Sequence, residues 1–108
     1  MKRIILLLLT LTLLTACSQV DCEQLEGEVN DLITEANYCE VDTDCEVNFD
    51  FSCPFGCENL VNKDADLTLI QEKVNIYYEE CDMCIYTCRE PPMEDEIKCL
   101  ENKCIDIR

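Results

Sequence analysis

The chain has 108 residues, enough for one domain, and eleven of them are cysteine. This cysteine density is typical of short secreted domains that are held together by disulfides. The sequence has 24 acidic residues against 8 basic ones, and the first two basic residues, Lys2 and Arg3, precede every acidic residue. From residue 17 onward the chain has six basic residues and all 24 acidic ones, which gives a formal charge of −18. Such a charge repels phosphate backbones and excludes nucleic-acid binding.

The N-terminus has the pattern of an export signal. Two basic residues are followed by an apolar run from Ile4 to Leu14, which only Thr10 and Thr12 interrupt. The run is too short to span a bilayer as a helix, but it suits the apolar core of a secretory signal. We therefore expect the protein to be exported.

The end of this run, Leu14-Thr15-Ala16-Cys17, resembles a lipobox, the processing motif of bacterial lipoprotein precursors. The resemblance implies that diacylglycerol is attached to the Cys17 thiol, that a peptidase cuts just before this residue, and that the new amine is often acylated. Two or three acyl chains anchor a protein stably, whereas one chain binds a membrane reversibly. The alternative is an ordinary secretory signal that leaves Cys17 as an unused thiol.

The resemblance covers residues 1 to about 18 and implies a signal peptide over residues 1–16 and a lipidated N-terminus at Cys17. The positions of the other cysteines add a cysteine-rich domain over 22–108, so that residues 17–21 form the lipidated N-terminus and a short tether. In lipoproteins of bacteria with two membranes, Asp after the lipidated cysteine commonly means retention at the inner membrane. Here that residue is Ser18. The expected location is therefore the outer membrane where one exists, and otherwise the outer face of the cytoplasmic membrane.

The cysteines after Cys17 are even in number, and export places them in an oxidising compartment. We therefore predict five disulfides, whose connectivity the spacing does not determine. The ten residues are Cys22, Cys39, Cys45, Cys53, Cys57, Cys81, Cys84, Cys88, Cys99 and Cys104.

The first predicted element is an amphipathic helix from Cys22 to about Ala36. Its apolar residues recur at helical spacing: Leu25, Val29, Leu32, Ile33 and Ala36. Cys22 lies on the same face, where a disulfide would hold the first turn inward. Asp21 or Ser18 is the expected cap.

A strand and a tight turn are predicted next. Val47, Phe49 and Phe51 alternate with polar residues, which indicates a half-buried strand, and we expect Phe49 and Phe51 to lie in the core. Cys53-Pro54-Phe55-Gly56-Cys57 follows as a turn fixed at both ends. Pro54, Phe55 and Gly56 of this turn are the candidate contact residues for a partner, and exposure beside this loop is the alternative to a core position for Phe49 and Phe51.

A second amphipathic helix follows, with an expected cap at Asp64 or Asp66. Its apolar face is marked by Leu67, Ile70, Val74, Tyr77 and Cys81. After it, Ile85 to Cys88 is predicted as another short strand, ended by Pro91-Pro92.

The C-terminus is predicted as a hairpin around Glu101-Asn102-Lys103. A three-residue loop would set Cys99 opposite Ile105 and Ile97 opposite Ile107, with Lys98 facing Asp106. A two-residue loop would instead set Cys99 opposite Cys104. Together the elements predict an α+β fold: a small disulfide-rich domain with two helices packed on a short antiparallel sheet.

Three motifs could carry chemistry. Cys81-Asp82-Met83-Cys84 has the spacing of thioredoxin-like redox motifs, but the acidic residues around it oppose the lowered thiol pKa that such chemistry needs. Cys53, Cys57, Cys81 and Cys84 could hold zinc as four thiolates, although an oxidising compartment favours disulfides. The segment 62–66 superficially resembles the start of a calcium loop, but Leu67 and Lys73 replace its essential Gly and Glu. We predict no bound metal or cofactor.

The chain offers no catalytic constellation, because it contains no histidine and only two serines, Ser18 and Ser52. We therefore expect a non-enzymatic binding or structural module whose partners are the lipid membrane and a protein of the cell envelope. A protease inhibitor is the alternative, by analogy with other small disulfide scaffolds. Thiol–disulfide exchange at Cys81 and Cys84 is a less favoured one.

Overall fold

The computed structural model describes residues 19–82 and 84–108. The predicted signal peptide, the lipidation site Cys17 and its neighbour Ser18 lie outside the described residues, as does Met83. Two helices and four strands follow along the two described ranges in the order helix, strand, strand, helix, strand, strand. Within these ranges no helix is long and apolar enough to cross a membrane.

Both predicted helices are confirmed. Helix α1 spans Cys22–Ala36 and begins where the Asp21 carboxylate accepts a hydrogen bond from the Gln24 backbone N–H at 3.1 Å. Helix α2 spans Thr68–Glu80. Asp66 accepts hydrogen bonds from the hydroxyl and the backbone N–H of Thr68, and these bonds hold the pKa of Asp66 below its ordinary value.

The two helices lie antiparallel. A disulfide joins Cys22 at the start of α1 to Cys81 just after α2, and Lys73 donates to the Glu28 carboxylate at 2.9 Å farther along the pair. The predicted disulfide that holds the first turn of α1 inward at Cys22 is therefore present. Between the helices and the neighbouring loops lies one apolar core, which contains Leu25, Val29, Ala36, Phe51, Phe55, Val61, Ile70, Val74 and Tyr77.

The four strands form two antiparallel hairpins. Strand β1, Cys45–Asn48, pairs with β2, Asn59–Asn62, and strand β3, Ile97–Leu100, pairs with β4, Lys103–Asp106. The Cys45–Cys104 disulfide joins β1 to β4. The predicted α+β class with a C-terminal hairpin is confirmed, and the sheet consists of two separate two-stranded ladders.

All ten predicted disulfide cysteines are paired with one another. The bonds are Cys22–Cys81, Cys39–Cys99, Cys45–Cys104, Cys53–Cys84 and Cys57–Cys88. They span from 31 to 60 residues of sequence. Each such bond typically stabilises a fold by about 2–4 kcal/mol, because it restricts the unfolded chain.

Three details of the strand prediction are wrong. Strand β1 ends at Asn48, so Phe49 is 59% exposed and only Phe51 lies in the core. The partner of β1 is the four-residue strand β2, whose sequence Asn-Leu-Val-Asn has too little alternation to signal a strand. Ile85 to Cys88 forms neither helix nor strand.

The three-residue register of the C-terminal hairpin is also wrong. Cys99 lies opposite Cys104 and Ile97 opposite Asp106, so the loop contains only Glu101 and Asn102. Both loop residues have positive φ, 52° and 62°, as the tight turns of two-residue hairpins require. Although Cys99 and Cys104 face each other, they bond to Cys39 and Cys45 respectively.

Candidate functional site

Two neighbouring disulfides clasp the segment 84–88 onto the loop 53–57. Cys53 bonds to Cys84 and Cys57 bonds to Cys88, so the two stretches run side by side in the same direction. The loop is fixed at both ends as predicted, but to a second segment and not to itself. This pairing makes the two segments one rigid unit at the surface.

The loop 53–57 turns its largest side chain inward. Phe55 is 4% exposed, and its ring meets Tyr77 of α2 edge-on with centroids 5.1 Å apart. Pro54 and Gly56 are half-buried. Of the three predicted contact residues, Phe55 therefore belongs to the core, and its ring is not available at the surface.

Two tyrosine hydroxyls hold this unit in place. The backbone N–H of Ser52 donates to the Tyr78 hydroxyl at 2.8 Å, and that of Gly56 donates to the Tyr86 hydroxyl at 2.7 Å. Gly56 has φ of +99°, a conformation that residues with a side chain rarely adopt. The bond from Gly56 fixes the Tyr86 ring against the loop.

Three exposed apolar side chains lie on or beside this unit, and we call them the apolar patch: Phe49, which precedes the loop, and Ile85 and Tyr86 of segment 84–88. Their exposed fractions are 59%, 97% and 43%. They line a single cavity of about 370 Å³, together with the four cysteines of the two clasping disulfides. Exposed apolar side chains grouped in this way make the patch a candidate interaction surface.

A cluster of charges supports the far end of segment 84–88. Arg108 lies 3.0 Å from a Glu58 carboxylate oxygen and 2.6 Å from one of Asp106, and Arg89 reaches Asp106 at 3.2 Å. Arg108 also donates to the Glu90 carbonyl at 2.6 Å. The hydrogen bonds from Arg108 lower the pKa of Asp106, and Asp106 in turn raises the pKa of Arg108. The cluster keeps the segment ordered without helix or strand.

A larger cavity of about 480 Å³ lies between β1 and β3, beside Asp42, Met93, Glu94 and Lys98. The Asp42 carboxylate already has partners in the fold. Asp42 accepts from the Cys99 backbone N–H at 2.8 Å and lies 3.4 Å from the Lys98 ammonium. The Cys99 hydrogen bond is the main reason that the pKa of Asp42 is lowered. We therefore regard this cavity as structural and the apolar patch as the better candidate site.

The cysteine motifs do not form the sites that their spacing suggested. Cys81 and Cys84 bond to Cys22 and Cys53, so the CxxC pair is not closed on itself, and no thiolate of the four-cysteine zinc hypothesis is free. The sulfurs of Cys39, Cys45 and Cys104 lie within 4.8 Å of one another. They belong to two disulfides, whereas a metal ligand must be a thiolate.

The polar residues of segment 62–66 serve the backbone. Asn62 is buried, donates to the Tyr38 carbonyl at 3.0 Å and accepts from the Asp64 N–H at 2.8 Å. Asp66 accepts both hydrogen bonds from Thr68 at the start of α2. These contacts explain the residues that resembled a calcium loop.

Sequence reasoning missed Ile85 and Tyr86 as contact residues, because the apolar stretch Ile85 to Cys88 resembled a strand. The sequence signal for an exposed contact residue was the position of Ile85 and Tyr86 between two cysteines, Cys84 and Cys88. Cys84 and Cys88 enclose only three residues, and a disulfide at each end fixes so short a stretch to the partners of the two cysteines. Their partners could not be foreseen from spacing.

Comparison with known proteins gives no relative from which a role for the apolar patch could be taken. The chain matches no protein-family model, no curated protein and no solved structure. Its function is therefore inferred from its residues: the N-terminal motif, the disulfides and the apolar patch.

Proposed function

We propose that the chain is an exported lipoprotein, anchored by acyl chains on Cys17, whose rigid domain is a non-enzymatic binding or structural module of the cell envelope. One observation carries the proposal. The five disulfides use all ten cysteines of the described residues, so none of the ten is left to pair with Cys17. A thiol left over directly after Leu14-Thr15-Ala16 is the one that lipoprotein processing would modify.

The disulfides also support an extracytoplasmic location, since five long-range bonds form and persist in an oxidising compartment. The expected membrane is the outer membrane where one exists, and otherwise the outer face of the cytoplasmic membrane. In this setting the apolar patch is the surface offered for interaction. Two disulfides and the Gly56–Tyr86 hydrogen bond restrain the backbone of segment 84–88 before any contact is made, which lowers the entropic cost of binding.

The test is the intact mass of the protein extracted from membranes, with thiols alkylated before and after reduction. We expect a chain that begins at Cys17 and carries the added mass of diacylglycerol, usually with a further acyl group. We expect no alkylated thiols as isolated and ten after reduction. The variant Cys17→Ser should lose the lipid mass and the cleavage before residue 17, while the neighbouring variant Ser18→Ala should keep both.

Two results would contradict the proposal. A chain of the same length without lipid mass would indicate an ordinary secretory signal. Free thiols in the isolated protein, at Cys53, Cys57, Cys81 or Cys84, would favour metal or redox chemistry. Turnover in an insulin-reduction assay would then identify redox chemistry and not metal binding.

Protease inhibition is the second candidate, and one feature favours it. Ile85 is the most exposed of the large apolar residues in the described ranges, and it lies between two half-cystines in a segment without helix or strand. A rigid, protruding residue of this kind fits the specificity pocket of a protease. We would assay a panel of purified proteases: tight inhibition of one of them, lost in Ile85→Asp but retained in Met93→Asp, would replace the binding-module proposal. Uniform cleavage of the segment would remove the inhibitor hypothesis.

A further inference from the structure

The apolar patch lies at the end of the molecule where the chain would be anchored. Helix α1 begins at Cys22, which is bonded to Cys81 with Cα atoms 5.9 Å apart. Three residues later Cys84 is bonded to Cys53, again with close Cα atoms, at 5.4 Å. The start of α1, the end of α2 and the Cys53–Cys84 disulfide, which directly precedes Ile85 and Tyr86, therefore share one end of the domain, which we call the proximal end.

The turn of the C-terminal hairpin lies at the opposite, distal end. The Cys39 N–H donates to the Asn102 carbonyl at 3.1 Å, and Lys103 reaches the Thr34 carbonyl at 3.4 Å. Thr34 is near the C-terminal end of α1. A helix of 15 residues is about 22 Å long, so roughly this distance separates the two ends.

The tether is short compared with the domain. Five residue steps separate Cys17 from Cys22, and a fully extended chain of that length covers at most about 18 Å. An acyl anchor on Cys17 therefore holds the proximal end next to the lipid surface. The apolar patch is carried there with it, and little space is left between patch and bilayer for a folded partner.

We propose that the apolar patch docks into the neutral headgroup region of the membrane that carries the anchor, so that the domain has one fixed orientation. This inference rests on the lipid anchor of the proposed function. Ile85 and Phe49 supply apolar surface, and Tyr86 is an amphipathic ring of the kind that collects at membrane interfaces. Because the anchor makes docking intramolecular, a small apolar surface suffices.

The charges of the proximal end select the kind of lipid. Asp21, Glu80 and Asp82 are all exposed there. Carboxylates repel anionic headgroups, so the docked surface is a zwitterionic one. The distal end, with the hairpin turn, then points away from the membrane and is the face open to other molecules.

The absence of tryptophan from the sequence gives a clean test. The lipidated variant Ile85→Trp places a single fluorescent reporter in the patch. The control is Val41→Trp, because Val41 is also exposed, at 56%, close to the 59% of Phe49 in the patch, and lies near Cys39 at the distal end. Each protein is reconstituted into phosphatidylcholine vesicles, with and without brominated acyl chains, and vesicle flotation is recorded in parallel.

We expect both variants to float with the vesicles. Emission from position 85 should shift to shorter wavelength and lose intensity in the brominated vesicles, while emission from position 41 should do neither. If Ile85→Trp does not form its five disulfides, Phe49→Trp reports from the same patch. The disulfides of each variant are checked by mass before use.

Two outcomes would contradict docking, and a third would contradict the lipid anchor on which docking rests. If the protein floats and both positions respond alike to brominated lipid, the docking inference is overturned and the anchor stands. If position 85 shifts with protein concentration but is not quenched, a second copy covers the patch instead, which also overturns it. If the wild-type chain lacks lipid and does not float, the proposed function itself fails.

Discussion

The turn of the C-terminal hairpin holds two residues in the left-handed region of backbone space, Glu101 at φ 52° and Asn102 at φ 62°. Asparagine tolerates this region, whereas glutamate does not, and the left-handed conformation costs an ordinary residue about 1–2 kcal/mol. The turn keeps this backbone conformation because hydrogen bonds from neighbouring residues hold it in place. The Cys39 N–H donates to the Asn102 carbonyl, and the Asn37 side chain bonds to both backbone groups of Cys104 at 2.6 and 3.1 Å.

Replacing this turn by the preferred pair should stabilise the protein. The double variant Glu101→Asn with Asn102→Gly places Asn-Gly in the two-residue loop, and we expect the free energy of unfolding to rise by about 1 kcal/mol. Guanidinium denaturation with the disulfides intact measures the change. Glu101→Ala is the control for the lost negative charge. An equal rise in that control would assign the effect to charge and contradict the explanation from backbone conformation.

At the scale of elements, both helices and the C-terminal hairpin were predictable, whereas strand β2, the end of β1 and the register of the hairpin were not. Helix α1 repeats its apolar residues over four turns and has a cap at Asp21, so local pattern and core face agree. Strands β1 to β4 have four residues each, which is too short for a period of two to stand out. The arrangement of the two hairpins depends on contacts between distant residues, such as the Cys45–Cys104 disulfide between β1 and β4.

In the candidate site, too, local features could be predicted from the sequence and features that depend on distant contacts could not. The turn at 53–57 was visible in the sequence, because two cysteines enclose Pro54 and Gly56. The inward direction of Phe55 depends on Tyr77, 22 residues away in sequence, and the exposure of Ile85 depends on which cysteines bond. Neither contact has a local signal. Ten cysteines permit hundreds of pairings, so the apolar patch became visible only with the connectivity.

At the scale of the whole molecule, the charge is strongly one-sided. The described residues contain all 24 acidic residues but only six basic ones, and four of these six form the ion pairs seen in the structure. A surface ion pair contributes about 0–1 kcal/mol. At neutral pH at least 18 carboxylates remain without a compensating cation, so net repulsion outweighs the pairs.

Acid changes this balance in two opposite ways. Protonation removes repulsion, but hydrogen bonds and cations lower the pKa values of Glu28, Asp42, Asp44, Asp66 and Asp106. A carboxylate with a lowered pKa in the folded state stabilises the fold above its ordinary pKa of about 4, and this contribution is lost as the pH falls through the lowered value. Absolute stability in acid therefore mixes two effects, whereas its dependence on salt reports the repulsion.

We therefore expect salt to stabilise the protein at neutral pH. Raising NaCl from about 0.02 to about 0.5 M shortens the screening length severalfold and weakens the repulsion among the excess carboxylates. The melting temperature of the protein in non-ionic detergent at neutral pH should rise by several degrees, as followed by circular dichroism with the disulfides intact. The same series at about pH 2, where most carboxylates are neutral, should show a much smaller slope. A melting temperature that falls with salt at neutral pH would mean that the few ion pairs, such as Arg108 with Asp106, outweigh the repulsion of the whole surface.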